Sequence, residues 1–492
     1  MGTIDETFDF LVIGSGSGLD VASAAAAHGQ SVAVVEKGPL GGTCLNRGCI
    51  PSKKLLYHAE VMKTVERADE FGIHADVTDV NFADIVREVN EDVTESAESI
   101  HHGLRTSTQH TLLEGEGRFV DDRTIEIGDG PDVGSRAHAE TVLIAAGTRP
   151  TVPPIDGLED VDYLTSTEAL GLEAPPDDLI IVGGGYIAAE LAHFFGTFGS
   201  DVSIVGRRPH LLPQADEEVA TAFTDRYADR FDVYTGYEAV SASESNGEIE
   251  VEARPYPAAW PDLTEHEDAT VTGDTLLIAA GRRPNTDLLN LEATGVETDE
   301  RGFVATDEYL RTTAEGVWAL GDIVGEYLLK HNANHEAGTV VRNLFGDDLE
   351  PVDYTAMPFA VFGSPEVAGV GATEQELQAD DRDHDREYAT RTYRYEDTAR
   401  GSAMKVEGFV KVLIEPNGMI LGCHIVGPEA SNLIEEVVVA MKAGTGTVWD
   451  IRESVHVHPA LSEVVDRAFA GQFVRRGPEA HDHHGHEHDH HN

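Results

Sequence analysis

The apolar positions fall into short continuous runs separated by glycine turns, the pattern of parallel strands buried on both faces. Residues 8–13 (FDFLVI) form such a run, followed by a glycine turn, an alanine-rich helix over Val21–Ala27, and a second apolar strand over Ser31–Val35 that ends in Glu36. This is a βαβ unit. The same grammar returns at 179–205, as LIIV, three glycines, a helix rich in alanine and phenylalanine, and VSIV. Runs at 141–146 (TVLIAA) and 275–280 (TLLIAA) each pass into a glycine and mark the places where the chain leaves one unit for the next. The segment 317–322 (VWALGD) reads as a further apolar strand. From about residue 350 the pattern turns to alternation, with strands at 409–414 and 419–426 and a helix at 432–443, which predicts an α+β domain. Acidic stretches at 242–248, 261–268 and 379–387 read as surface insertions.

The chain has 492 residues, room for about three domains, and 41% of them are apolar, ample for packed cores. Charge changes the picture more: 89 acidic residues against 35 lysines and arginines give a net charge of −54, spread along the whole chain. At molar salt the Debye length is about 3 Å, so an acidic surface is screened and stays hydrated; the balance points to a halophile cytosol. It argues against nucleic acid as a partner. No run of about 18 apolar residues predicts a membrane span. The stretch Met1 to Phe8 has no basic apolar leader, so a cytoplasmic location is expected. Three cysteines make no structural disulfide framework.

Gly14-Ser15-Gly16-Ser17-Gly18-Leu19 sits where strand meets helix, the place where a backbone turn can approach a pyrophosphate at a helix N-terminus. Glu36, 20 residues beyond Gly16, is placed for a ribose hydroxyl. Leu19 occupies the third glycine position of the fingerprint, and Gly18 compensates in part. Gly183-Gly184-Gly185-Tyr186-Ile187-Ala188 is a second fingerprint. Its following strand ends Gly206-Arg207-Arg208, without the acid that an NAD site would use; two guanidinium groups suit a 2′-phosphate, so NADPH is expected rather than NADH.

The run Gly41-Gly42-Thr43-Cys44-Leu45-Asn46-Arg47-Gly48-Cys49-Ile50-Pro51-Ser52-Lys53 places two cysteines at a helix start, where a distorted first turn would let them form a small disulfide. A helix N-terminus lowers a thiol pKa. Two cysteines without further nearby ligands make a poor zinc site, and a structural disulfide does not suit a reducing cytosol.

This run resembles the active-site signature of the pyridine nucleotide-disulfide oxidoreductases, the family of dihydrolipoamide dehydrogenase, glutathione reductase, mercuric reductase and mycothione reductase. The resemblance extends from about Phe8 to Phe469 and includes YIAAE at 186–190, LGD at 320–322, SPEVAGVG at 364–371 and HPALSE at 458–463. It implies an α/β fold with two Rossmann-like dinucleotide-binding domains plus a C-terminal α+β dimerisation domain. The boundaries expected are 1–150 and 282–350 for FAD binding, 151–281 for NAD(P) binding, 351–475 for dimerisation, and 476–492 for a disordered His-rich tail.

The resemblance also implies the roles. Cys49 is the flavin-proximal thiol, acting as a charge-transfer thiolate, and Cys44 the interchange thiol that attacks the substrate disulfide. Lys53 lies beside the flavin and pairs with Glu190. Gly14, Gly16, Gly18, Glu36, Gly42, Thr43, Gly117, Gly147, Asp322 and Leu329, with Leu328, belong to the FAD site. Gly183, Gly185, Tyr186, Ile187, Glu190, Arg207, Arg208 and Gly281 belong to the NADP site. His458, oriented by Glu463, is the acid/base for thiol exchange and reaches the cysteines of a second subunit, so a homodimer is implied. His456 is the competing histidine.

Cys423, in an apolar strand, reads as a small buried residue. The seven histidines at 481–491 read as a solvated tail; the alternative of a metal-handling protein predicts tight metal binding lost on removing 480–492. The turn GSGSGLD and HPALSE resemble mycothione reductases, and the chain as a whole resembles the bis-γ-glutamylcystine reductases of halophiles. A small-molecule disulfide is the expected substrate, with dihydrolipoamide dehydrogenase, NAD-linked, as the alternative.

Overall fold

A computed structural model describes residues 6–476 apart from 261–262, 264–265 and 380–386. The His-rich segment from 477 onward, most of the acidic stretch 379–387 and four positions of 261–268 lie outside the described residues.

The first βαβ unit forms as its apolar runs require. Strands β1 (Glu6–Ile13) and β2 (Val32–Glu36) lie parallel, with Val12 opposite Val34. Strands β3 (His110–Glu114), β4 (Gly117–Asp121), β5 (Thr124–Ile127) and β6 (Arg136–Ile144) complete the order β3-β2-β1-β6-β5-β4. The later segment Val317–Ala319 returns to pair with β6 in parallel, so the sheet is built from two separated stretches of chain. Of the predicted strand 317–322, these three residues pair as a strand and Leu320 continues extended, its N–H donating to the Ile144 carbonyl at 3.1 Å. The N–H of Gly321 is taken by the buried Glu336 carboxylate at 2.5 Å, which draws the chain off the ladder into a short turn.

Helix α1 (Gly18–Ala27) covers this sheet with small residues, Ala22, Ala25 and Ala26, all buried. A side chain at Gly18 would stand 2.7 Å from Val12 Cγ2 and 2.9 Å from the Ala145 Cβ. Gly18 therefore supplies the close helix-to-strand approach that the third fingerprint glycine usually gives.

The second unit has a wholly parallel five-stranded sheet, ordered Asp232–Thr235, Asp201–Gly206, Asp178–Val182, Thr275–Ile278 and Tyr163–Leu164. Beside it lie three antiparallel strands, Tyr237–Ser245, Glu248–Pro255 and Ala269–Gly273. The acidic stretch 242–248 is thus a strand end and hairpin, not an insertion. Ile249, Val251 and Ala253 point inward while glutamates alternate outward, a period-2 pattern hidden by the density of acids. The C-terminal unit is a six-stranded antiparallel sheet that includes Phe409–Ile414 and Ile420–Val426, packed by helices Ala430–Ala443 and Glu463–Phe469. Cys423 is fully buried within it.

A buried charge cluster fastens the second and third units. Asp216 caps the helix Glu217–Ala228, and its Oδ1 lies 2.8 Å from Lys411 Nζ on the C-terminal sheet. Lys411 also meets Glu374 Oε2 at 2.7 Å, and the Glu374 N–H donates to Asp216 Oδ2 at 3.0 Å. Removing the cation from a buried set of carboxylates costs about 3–5 kcal/mol. Lys411→Met is therefore expected to lower the midpoint of guanidinium unfolding markedly; an unchanged midpoint would show that the cluster does not hold the units together.

Candidate active site

The two candidate cysteines sit at the junction of two helices, α2 (Gly42–Arg47) and α3 (Cys49–Glu66). The break falls at Gly48, and Cys49 is the first residue of the long helix. The sequence motif predicted one distorted first turn; the structure achieves the same proximity with two helices. Gly42 fixes where this junction lies: a Cβ there would stand 2.8 Å from Gly16 Cα, so α2 begins in direct contact with the dinucleotide turn.

Cys44 and Cys49 are free thiols in hydrogen-bond contact with each other. That contact lowers Cys49 to about 6, with Lys53 adding to the effect against the opposing push of burial. The same contact pushes Cys44 well up. The contact thus favours the thiolate at Cys49, beside Lys53, over that at Cys44.

Helix α3 packs through Leu55, Leu56 and Ala59 into the same core as the helix Tyr186–Thr197. That packing brings Lys53 to Glu190 as expected, with Nζ 2.8 Å from Oε1 and 2.6 Å from Oε2. Glu190 is buried, and its Oε1 also accepts the Phe362 N–H at 3.1 Å. Lys53 further lies 5.0 Å over the Phe362 ring.

A cavity of about 440 Å³ joins these groups to the first glycine turn. Gly14, Ser15, Gly16, Ser17, Glu36, Gly42, Thr43, Gly117, Gly147 and Asp322 line it together with Cys44, Cys49 and Lys53. A side chain at Gly16 would meet nothing within 4 Å, so the backbone there is open to a ligand. Glu36 is held by the Ser15 N–H at 2.9 Å, the Ser15 hydroxyl at 2.7 Å and the Gly38 N–H at 2.9 Å. Oε2 accepts both Ser15 bonds and Oε1 only one, so Oε1 keeps a lone pair for a ribose hydroxyl. Burial pushes the Asp322 carboxyl up, opposed by the Thr148 hydroxyl at 2.8 Å and by Arg282 at 3.9 Å. Acidic side chains, a bare helix-capping turn and two thiols lining one cavity fit a flavin adenine dinucleotide.

Some expected members stand elsewhere. Gly18 packs behind the turn and does not line the cavity. Leu328 lines the cavity; Leu329 instead precedes the helix Lys330–Phe345, its carbonyl accepting the Ala333 N–H. Tyr186, Ile187 and Glu190, assigned to the nucleotide fingerprint, line the same cavity as the cysteines, because their helix forms its wall. Gly183, Gly185, Arg207, Arg208 and Gly281 do not line it. Gly185 caps the helix Tyr186–Thr197, and Arg207 and Arg208 are exposed at the end of the adjacent strand. Arg207 lies 3.4 Å from Glu238 and 5.6 Å over the Tyr256 ring. Sequence reasoning assigned no role to Ser15, Thr148, Arg282 and Lys330; Ser15 lies within the first glycine turn, and Thr148 and Arg282 each follow the glycine that ends an Ala-Ala-Gly run, but none of these positions was singled out.

His458 Nδ1 is 3.0 Å from Glu463 Oε1, and this bond, with the Ala460 N–H, lowers the Glu463 carboxyl. The His458 side chain is 71% exposed and does not line the cavity of its own chain. His456 is instead half-buried, 2.7 Å from Glu436, and this bond holds it above the usual histidine range despite the opposing effect of burial.

Comparison with known proteins agrees with this arrangement. The pyridine nucleotide-disulphide oxidoreductase family model matches residues 8–337, and the dimerisation domain of the same family matches residues 357–469. Mycothione reductase of Mycobacterium tuberculosis is 37% identical over 483 residues, covering 95% of this chain and 99% of that one. Dihydrolipoyl dehydrogenase 3 of Haloarcula marismortui is 37% identical over 475 residues, covering 95% and 97%. Among solved structures, the HOCl-induced flavoprotein disulfide reductase RclA of Escherichia coli matches with a TM-score of 0.81 and 27% identity over 94% of this chain and 99% of that one. No described helix is long and apolar enough to cross a membrane. The chain belongs to the pyridine nucleotide-disulphide oxidoreductase family, flavoprotein enzymes that use FAD and NAD(P)H to act on sulfur groups.

Proposed function

We propose that this chain is an NADPH-driven reductase of a low-molecular-weight disulfide, bis-γ-glutamylcystine, acting through Cys44 and Cys49 in the cytoplasm of a halophile. The observation that carries the reading is the thiol pair itself: two cysteines in contact, with Cys49 drawn to about 6 beside Lys53. FAD, when bound, relays the electron pair of the reduced nicotinamide to the sulfur bridge.

Residues 1–150 and 282–350 hold FAD, through Gly14, Gly16, Glu36, Gly42, Thr43, Gly117, Gly147 and Asp322. Residues 151–281 hold NADPH, with Gly183, Gly185 and Gly281 at its backbone and Arg207 and Arg208 at the 2′-phosphate. Glu238 is then the carboxylate that Arg207 leaves to meet the phosphate. Residues 351–475 form the dimer contact, and the exposed Val455, Val457 and Trp449 near His458 support it.

In the dithiol form, Cys44 gives its proton to His458 of a second copy and attacks one sulfur of the substrate. A mixed disulfide forms, and the first product thiolate leaves with the proton from His458. The Cys49 thiolate then attacks the Cys44 sulfur, closes the Cys44–Cys49 bond and releases the second product as a thiolate, which takes its proton from solvent. One disulfide becomes two thiols as one dithiol becomes one disulfide, so the electrons balance. Glu463 orients His458 and stabilises its charged form.

The 37% identity to a haloarchaeal dihydrolipoyl dehydrogenase favours a second reading, an NAD-linked lipoamide enzyme. Steady-state assays with NADPH or NADH, on bis-γ-glutamylcystine or lipoamide, separate the two. NADPH with bis-γ-glutamylcystine is expected to give the highest kcat/KM. The double variant Arg207→Leu, Arg208→Leu is expected to raise KM for NADPH at least tenfold and KM for NADH little; faster lipoamide turnover with NADH would favour the second reading.

The charge on Cys49 predicts a pH dependence. Its alkylation by iodoacetamide in the reduced enzyme is expected to be fast above pH 6 and to fall away below it. In Cys44→Ala the midpoint should move up towards the ordinary thiol value of about 8.5, because the largest cause of the lowering is gone. An unchanged midpoint in that variant would show that Cys44 does not tune its neighbour.

A further inference from the structure

The parallel strands Asp201–Gly206 and Asp232–Thr235 end side by side, with Gly206 opposite Thr235. Ligands of open parallel sheets sit beyond such carboxyl ends, and Arg207 and Arg208 lead away from this one. A separate segment reaches the same place. Residues 256–260 follow the antiparallel strand Glu248–Pro255 and pack on Gly236, which links the strand ending at Thr235 to the one beginning at Tyr237. The Gly236 carbonyl accepts the Tyr256 N–H at 2.7 Å and the Trp260 Nε1–H at 2.8 Å. The Gly236 N–H donates to the Arg208 carbonyl at 2.8 Å. Gly236 has a φ of +76°, and a Cβ there would stand 2.5 Å from Trp260 Cε2, so both the turn and the indole contact need a glycine. One turn thus ties the two arginines to Tyr256 and Trp260.

Arg207 has two partners of different kinds. Its guanidinium lies 5.6 Å over the half-buried Tyr256 ring and 3.4 Å from Glu238 Oε1. The Glu238 contact is an exposed ion pair, weak by nature, and a phosphate competes for the same N–H donors. The ring does not compete, because a cation–π contact uses the charge and consumes no hydrogen-bond donor. Tyr256 can therefore hold the guanidinium while its donors pass from Glu238 to a phosphate. In the concentrated salt that a net charge of −54 points to, charges farther apart than about 3 Å are largely screened. Selection for a phosphate then rests on short-range contact, which favours a guanidinium already held in place.

We propose that Tyr256, fixed by the Gly236 turn, is a positioning residue that keeps the Arg207 guanidinium at the 2′-phosphate site and so sets the preference for NADPH over NADH. The proposal rests on the reading of this unit as an NADPH site. Tyr256 acts through Arg207 and does not itself ligate the phosphate.

The test is calorimetric binding of adenosine 2′,5′-bisphosphate and of adenosine 5′-monophosphate to the oxidised holoenzyme in molar potassium chloride. The two probes differ only in the 2′-phosphate, so the ratio of their Kd values separates phosphate selection from contacts to adenine and ribose. Tyr256→Leu is expected to lower the preference for the bisphosphate at least threefold, and Tyr256→Phe to retain it. In a chain that already carries Arg207→Leu, adding Tyr256→Leu is expected to change the ratio no further. An unchanged preference in Tyr256→Leu, equal weakening of both probes, or a further loss in the Arg207→Leu background would overturn the proposal. No preference for the bisphosphate in the unaltered holoenzyme would overturn the NADPH reading and the proposal with it. A preference that is present in the unaltered holoenzyme and survives Tyr256→Leu overturns the proposal alone.

Discussion

A carboxylate in a protein core must be met by a cation or by several hydrogen-bond donors. Glu190 has both: Lys53 spans its two oxygens and the Phe362 N–H takes a third lone pair. The pair joins helix α3 to the helix Tyr186–Thr197 and the C-terminal part of the chain to both. It also sets an ammonium beside Cys49. One interaction thus serves the packing of three segments and the charge state of a sulfur, and the position of the thiols follows from it.

The glycine turn adds the second constraint. Contact between Gly16 and Gly42 places the start of α2 against the dinucleotide turn, so the thiols and the cofactor cradle cannot move independently. One cavity is therefore lined jointly by Glu36, Ser17, Thr148 and Cys49. Electron transfer between a bound ring and a sulfur needs fixed proximity, and a shared wall of backbone provides it better than long side chains would.

Much of this was legible in the chain alone, because the relevant signals are periodic or closely spaced. The βαβ runs, the paired cysteines, the Lys53–Glu190 pair and the His458–Glu463 bond all depend on local grammar or on motif resemblance. What escaped notice depends on tertiary approach. Leu328 faces the cavity and Leu329 does not, a difference of one residue at a helix entrance that spacing cannot resolve. The hairpin at 242–248 was masked because acids crowd its solvent face. Tyr186 and Ile187 share the wall of the thiol cavity because their helix packs on α3, which no fingerprint states. Lys330, Thr148 and Arg282 are single residues whose meaning appears only when distant segments meet.

The central claim is that Cys44 and Cys49 interconvert between a bridge and two thiols at the expense of NADPH. Counting thiols tests it most directly. The chain has three cysteines, and Cys423 is buried away from the pair. Oxidised enzyme unfolded in guanidinium with an aromatic disulfide reagent is expected to show one reactive thiol, and enzyme treated anaerobically with NADPH before unfolding is expected to show three. Three thiols in both samples, or one in both, would contradict the account.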